Sequence, residues 1–218
     1  GALAHAGVTL WVLGRWWRPS AQGGLSWSAV TPPLIVPVVG NVLVPLAGVA
    51  LGQAEWSAAQ FGIGLMFWPV ALALLAVRLA VQGAWPERLL PSNLILVAPP
   101  AVVGLSALEL GAPLLVGWAL WGMAMFTLAW VALLARRITA QPFGLPHWGM
   151  SFPLAALASL TLRLATPGSL LAVLGPALLA LASLVIAGLS LATLRGLRDG
   201  SLLVPEQVAV IVPQSGTA

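Results

Sequence analysis

Long apolar runs with almost no charge inside them restrict this chain to one environment. A helix needs about 20 apolar residues to cross a hydrocarbon core at 1.5 Å rise per residue. Six runs meet that length, at about 30–51, 57–80, 91–109, 112–135, 146–166 and 169–194. Of the 218 residues 60% are hydrophobic and 6% charged, where a soluble domain carries roughly 25% charged residues. Too few charges remain to make a water-facing surface, and the mean hydropathy is +1.02. In lipid every backbone donor and acceptor must be satisfied internally, which leaves helices or a closed barrel. The short alternating segments of a barrel are missing. The expected fold class is therefore an all-α membrane protein.

The short links around Gln53 to Trp56, at Gly111 and around Thr166 to Gly168 pair the segments into antiparallel hairpins at 30–80, 91–135 and 146–194. Ahead of them the run Gly1 to Gly14 is too short to cross a bilayer, and it lacks the charged start and small-residue cleavage site of a signal peptide. It reads as the tail of a helix in an N-terminally truncated chain. On this reading residues 1–218 form a single transmembrane domain ending in a cytoplasmic tail at 195–218.

Orientation follows from the arginines, because Arg and Lys in short loops stay on the cytoplasmic side. Arg15, Arg18, Arg78, Arg88, Arg136, Arg137, Arg195 and Arg198 follow the second helix of a pair, against Arg163 alone at the opposite ends. That places the C-terminus in the cytoplasm of a cell inner (plasma) membrane, with Glu55 and Glu109 near the outer face. Trp16, Trp17, Trp27, Trp56, Trp85 and Trp148 stand near helix ends, where headgroup contacts favour tryptophan. The net charge of +4 reports topology rather than nucleic-acid binding, since the arginines are scattered and form no basic face.

The first helix of each pair starts at a proline and contains further ones. Leading prolines at 32, 91 and 146 recur at roughly 55–60 residues, a spacing typical of repeated structural units. Interior proline removes a backbone hydrogen bond and clashes one turn back, so these helices should kink at Pro37, at Pro99 and Pro100, and at Pro153. The freed carbonyls need partners, which directs the kinked stretches toward protein or a water-filled path. Gly40, Gly48 and Gly104 would provide a narrow wall or close helix contact. The second helices are plainer, interrupted only by Pro69 and Pro176.

The chemistry missing from the chain is also informative. The chain has almost no intramembrane ionisable residue, and between the helix ends no Asp, Glu, Lys or His is expected at mid-depth: Glu109 and Arg163 lie near the outer boundary and His147 at the inner start of its helix. Without cysteine, and without two ligands at a suitable spacing, no metal site or cofactor is expected. Neither HExxH, GxSxG, a Walker loop nor GxGxxG opening a βαβ unit occurs, so the chain is not expected to be an enzyme. What remains is a neutral conduction path with a cationic inner rim. Phe152, an aromatic directly before Pro153, could aim its ring at the axis and block the path; packing between helices or against lipid is the plainer alternative.

Three stretches carry a family resemblance: PLIVPVVGNVLVPLAG (33–48), LPSNLILVAPPAVVGLS (90–106) and, most specifically, HWGMSFPLAALA (147–158). They resemble the tellurite-resistance/C4-dicarboxylate transporter family, which includes the plant slow anion channels. SLLVPEQ near the C-terminus resembles the family's ending. The resemblance implies a fold of ten transmembrane helices in five hairpins around a central pore lined by the odd helices, assembled as a homotrimer. It places the opening run at the end of the fourth helix and the six segments at the fifth to tenth. It also implies that Phe152 is the pore gate. Pro37, Gly40, Val42, Pro99, Pro100 and Pro153 then line or kink the pore. Where the plant channels carry a second pore aromatic after a Gly-Asn pair, Gly40 and Asn41 are here followed by Val42. Gly149 and Met150 depart from the family stretch as well.

The expected function is a channel in the lipid bilayer that passes small monovalent anions, chloride or nitrate, through a pore occluded by Phe152. The alternative is proton-linked C4-dicarboxylate transport or tellurite export. A scaffold with no transport of its own would use the repeated prolines for packing alone.

Overall fold

The computed structural model of the chain describes residues 1–200 and Leu202; most of the expected tail over 195–218, including all of the SLLVPEQ stretch but Leu202, lies outside the described residues. Helix α1 spans Ala2–Trp16. It is followed by α2 (Pro32–Gly48), α3 (Ala54–Gln82), α4 (Glu87–Glu109), α5 (Leu114–Ala132), α6 (residues 145–164) and α7 (Leu170–Arg198). Among the described residues, α3, α4, α5 and α7 are long and apolar enough to cross a membrane. The chain is an all-α membrane protein. Each pair turns on a left-handed glycine, as at Gly111 (φ 86°) and Gly168 (φ 80°), where a β-carbon would be strained.

The three proline-rich helices are not uniform α-helix. In α2 a 3₁₀ turn at Gly40–Leu43 separates two short α stretches. Helix α4 opens with 11 residues of 3₁₀ geometry over Glu87–Val97, and α6 opens with Leu145–Met150 in the same form. Runs this long are uncommon in 3₁₀ form. Proline explains where they occur. Pro45 cannot donate to the Asn41 carbonyl, so Val44 does so one residue closer, at 3.3 Å. Pro99 likewise leaves Ile95 without its α-helical partner, and Ala98 donates to it instead. The 3₁₀ start also brings α4 in four residues earlier than the sequence pattern suggests.

Helix α4 occupies the middle. It packs on α2 and on α6, the 3₁₀ starts of α4 and α6 lie against each other, and α3, α5 and α7 cover the periphery. Of the most apolar stretch of α4, 83% is buried, against 28%, 17% and 22% in α3, α5 and α7. One core joins Val38, Val39 and Val42 of α2, Trp68 and Leu75 of α3, Val102 and Val103 of α4, and Leu157 and Leu160 of α6. Small residues permit the closest approaches. A β-carbon on Gly64 would lie 2.6 Å from the Val39 carbonyl, so α2 and α3 touch backbone to side.

Charges sit at the two ends of the bundle. At one, Arg137 pairs with Glu87, and Gln141 donates to the same carboxylate at 3.1 Å. At the other, Arg163 stands 3.8 Å from Glu109. Arg78 is buried, donates to the Gly83 carbonyl and lies over the ring of Trp85 at 5.4 Å. Trp85 itself is buried and donates to the Val30 carbonyl at 3.2 Å, so it packs the bundle end rather than facing headgroups as expected. Trp17, Trp27 and Trp56 are exposed.

Candidate functional site: a cavity between the kinked helices

The distorted stretches of α2, α4 and α6 converge on a cavity of about 330 Å³. Val36, Val39, Gly40, Val42 and Leu43 line it from α2, Ile95, Pro99 and Val102 from α4, and Trp148, Gly149, Phe152 and Pro153 from α6. No lining side chain is charged. The one indole N–H in the wall, that of Trp148, is engaged by the Thr193 hydroxyl of α7 at 3.0 Å. Trp148 therefore braces α6 against α7 instead of sitting in a headgroup belt.

Gly40, Val42, Pro99, Phe152 and Pro153 thus come together at one cavity. Pro37 and Pro100 lie off it. Pro99 turns to the cavity, whereas Pro100 is buried in the bundle away from it. Pro37 faces α1: its carbonyl accepts the Thr9 hydroxyl at 2.7 Å. Phe152 is 48% exposed although its neighbours Pro153 and Leu154 are buried. The Trp148 carbonyl accepts both the Ser151 amide and its hydroxyl, the latter at 2.7 Å. This tightens the turn just before Pro153 and holds Phe152 toward the cavity.

The wall of α2 is fixed from behind. The Ser106 hydroxyl of α4 donates to the Val42 carbonyl at 2.5 Å, giving a partner to a backbone group in the distorted turn. Thr9 holds Pro37 and also accepts a hydrogen bond from Asn41 Nδ2 at 2.8 Å. Through these contacts α1 packs on α2, and His5 rests on Gly40. The sequence reading of residues 1–14 as a helix tail singles out no residue there. A histidine ten residues ahead of Arg15 on one apolar helix stands far from the arginine-bearing end.

The sequence profile of the voltage-dependent anion channel family, SLAC1, matches residues 1–194, nearly all of the described chain. The chain belongs to the voltage-dependent anion channel family. Among curated relatives, the S-type anion channel SLAH2 of Arabidopsis thaliana is 28% identical over 148 residues, covering 67% of this chain and 28% of the relative. The S-type anion channel SLAH3 of the same plant is 26% identical over 202 residues, covering 90% of this chain and 31% of the relative. The chain spans under a third of the length of these curated relatives. The family is one of channels and not an enzyme class. Membership agrees with the resemblance read from residues 33–48, 90–106 and 147–158.

Proposed function

We propose that this SLAC1-family chain provides part of the wall and the gate of a channel for small monovalent anions, chloride or nitrate. The observation that carries the reading is the neutral, apolar cavity where the three kinked helices converge, with the half-exposed ring of Phe152 in its lining. An apolar constriction can close a pore by blocking and dewetting it, and removing the aromatic would let water and ions through. The names of the Arabidopsis relatives support an anionic cargo. The reading places the protein in the plasma membrane as a homotrimer, its C-terminus cytoplasmic and its arginine-bearing end inward.

Anion efflux from liposomes holding the full-length protein tests this, under a set membrane potential with equal pH on both sides. Phe152→Ala should release chloride or nitrate faster than wild type by about tenfold or more, a barrier change of about 1.4 kcal/mol. Equal rates in the two proteins would remove the gate. Proton-linked C4-dicarboxylate transport or tellurite export is the second reading, and one observation favours it: His5 places an ionisable side chain within the bundle. Uptake of a carboxylate that appears only with an imposed proton gradient would establish it.

A further inference from the structure

His5 does not line the cavity, but only the Gly40 backbone separates the two. A β-carbon on Gly40 would lie 2.6 Å from both Cε1 and Nε2 of the imidazole, so the ring fills the space that the glycine leaves open. Gly40 itself forms part of the cavity wall. His5 precedes Arg15 by ten residues on α1, which places it about 15 Å along the axis from the charged end. That is about half the ~30 Å depth of a hydrocarbon core. Ionisable groups at such depth are costly, face the protein interior and mark ion pathways.

The hydrogen bonding around the ring is incomplete in a specific way. His5 Nε2 and Asn41 Oδ1 are both buried with no hydrogen-bond partner among the described residues. Asn41 Nδ2 is committed to Thr9, so its Oδ1 is left as an acceptor waiting for a donor. Buried polar atoms are rarely left unpaired, and the unpartnered Nε2 is the ring nitrogen that lies against Gly40. When both ring nitrogens are protonated, the ring becomes a cation held against the pore wall. Among the described residues few other charges compete with it. Helix α2 has no titratable side chain; α1 carries Arg15 in its last turn; α3, which meets α1 where Trp16 packs on Phe67, carries Glu55 and Arg78 at its two ends.

We propose that His5 is an intramembrane cation of this conduction path, and that its charge, held against the far side of the Gly40 backbone, sets how readily anions pass. The proposal rests on the channel reading above. A neutral cavity with low-dielectric walls focuses the field of one nearby charge, raising the local anion concentration. Histidine is the side chain suited to supplying that charge conditionally, between about pH 5 and 8.

The test uses the full-length protein with Phe152→Ala in liposomes, and chloride efflux under a set potential with the same pH on both sides, at about pH 5.5 and about pH 7.5. Efflux should be faster at the lower pH by about tenfold. Adding His5→Gln should make the rate the same at both pH values. Adding Gly40→Ala, which keeps the histidine but pushes its ring off the wall, should weaken the pH dependence too, and serves where His5→Gln does not fold. A pH dependence unchanged in both variants would overturn the proposal, as would efflux from Phe152→Ala that never varied with pH. A requirement for a pH gradient across the membrane would also overturn it, in favour of coupled transport. If Phe152→Ala conducts at neither pH, the gate reading fails first and takes the proposal with it, a result distinct from pH-independent conduction.

Discussion

The inner helices α2, α4 and α6 and the peripheral helices α3 and α7 all contain proline, yet only the inner ones lose α geometry. Pro69 and Pro176 are exposed on the bundle surface, and α3 and α7 run on through them for 29 residues each. Pro45, Pro91, Pro99, Pro100 and Pro153 are buried. The contrast shows that proline alone does not set the backbone. In the interior the freed Asn41 and Ile95 carbonyls take the amide one residue closer, and Ser106 and Thr9 add side-chain bonds to the Val42 and Pro37 carbonyls of the same distorted stretch. The result is an inner layer of irregular helix around a cavity, held by a peripheral layer of regular helix.

Mutations can break this contrast most strongly in packing. Leu157, fully buried on α6, and Leu184, 72% exposed on α7, carry the same side chain in the two layers. Leu157→Ala should cost about 2–5 kcal/mol through the cavity left behind. Leu184→Ala should change stability by less than about 0.5 kcal/mol, because lipid tails replace the lost contacts. Reversible unfolding in mixed micelles compares the two, and equal costs would erase the distinction between the layers. A smaller effect is expected where the layers touch. Gly64→Ala must push on the Val39 carbonyl and should cost about 1–3 kcal/mol, whereas Gly62→Ala, with open space around it, should be neutral or slightly stabilising. The same unfolding measurement sharpens the boundary of the inner layer: a harmless Gly64→Ala would mean that α2 and α3 are not in backbone contact.

The helical class and the alternation of kinked with plain segments were legible in the sequence, because apolar run length and proline placement act locally. The cavity was only partly legible. Gly40, Val42, Pro99, Phe152 and Pro153 stand out by residue type or family motif. Ile95, Val36, Val39 and Val102 share an apolar character with every lipid-facing position, and only the tertiary arrangement separates them. The 3₁₀ opening of α4 at Glu87 was hidden because the charged pair Glu87 and Arg88 stands ahead of the apolar run from which the helix start is read. Trp85 and Trp148 were misplaced for a related reason: a tryptophan near a helix end suits a headgroup belt, but its N–H also suits a buried carbonyl or hydroxyl, and here Val30 and Thr193 supply those. His5 carries no sequence signal of a site, because the run Gly1 to Gly14 that holds it is too short to read as a spanning helix.

On the proposed function the kinked helices, and not the peripheral ones, face the aqueous path. With no cysteine in these 218 residues, single cysteines report position cleanly. In liposomes holding the full-length protein with Phe152→Ala, cysteines at Val36, Leu43 or Ile95, which line the cavity with accessible surface, should react with a membrane-impermeant thiol reagent, and bound reagent should reduce anion efflux. Cysteines at Leu65, Phe126 or Leu184, all exposed on the periphery, should stay unmodified in lipid. Reaction at the peripheral positions with none at the cavity positions would contradict the account.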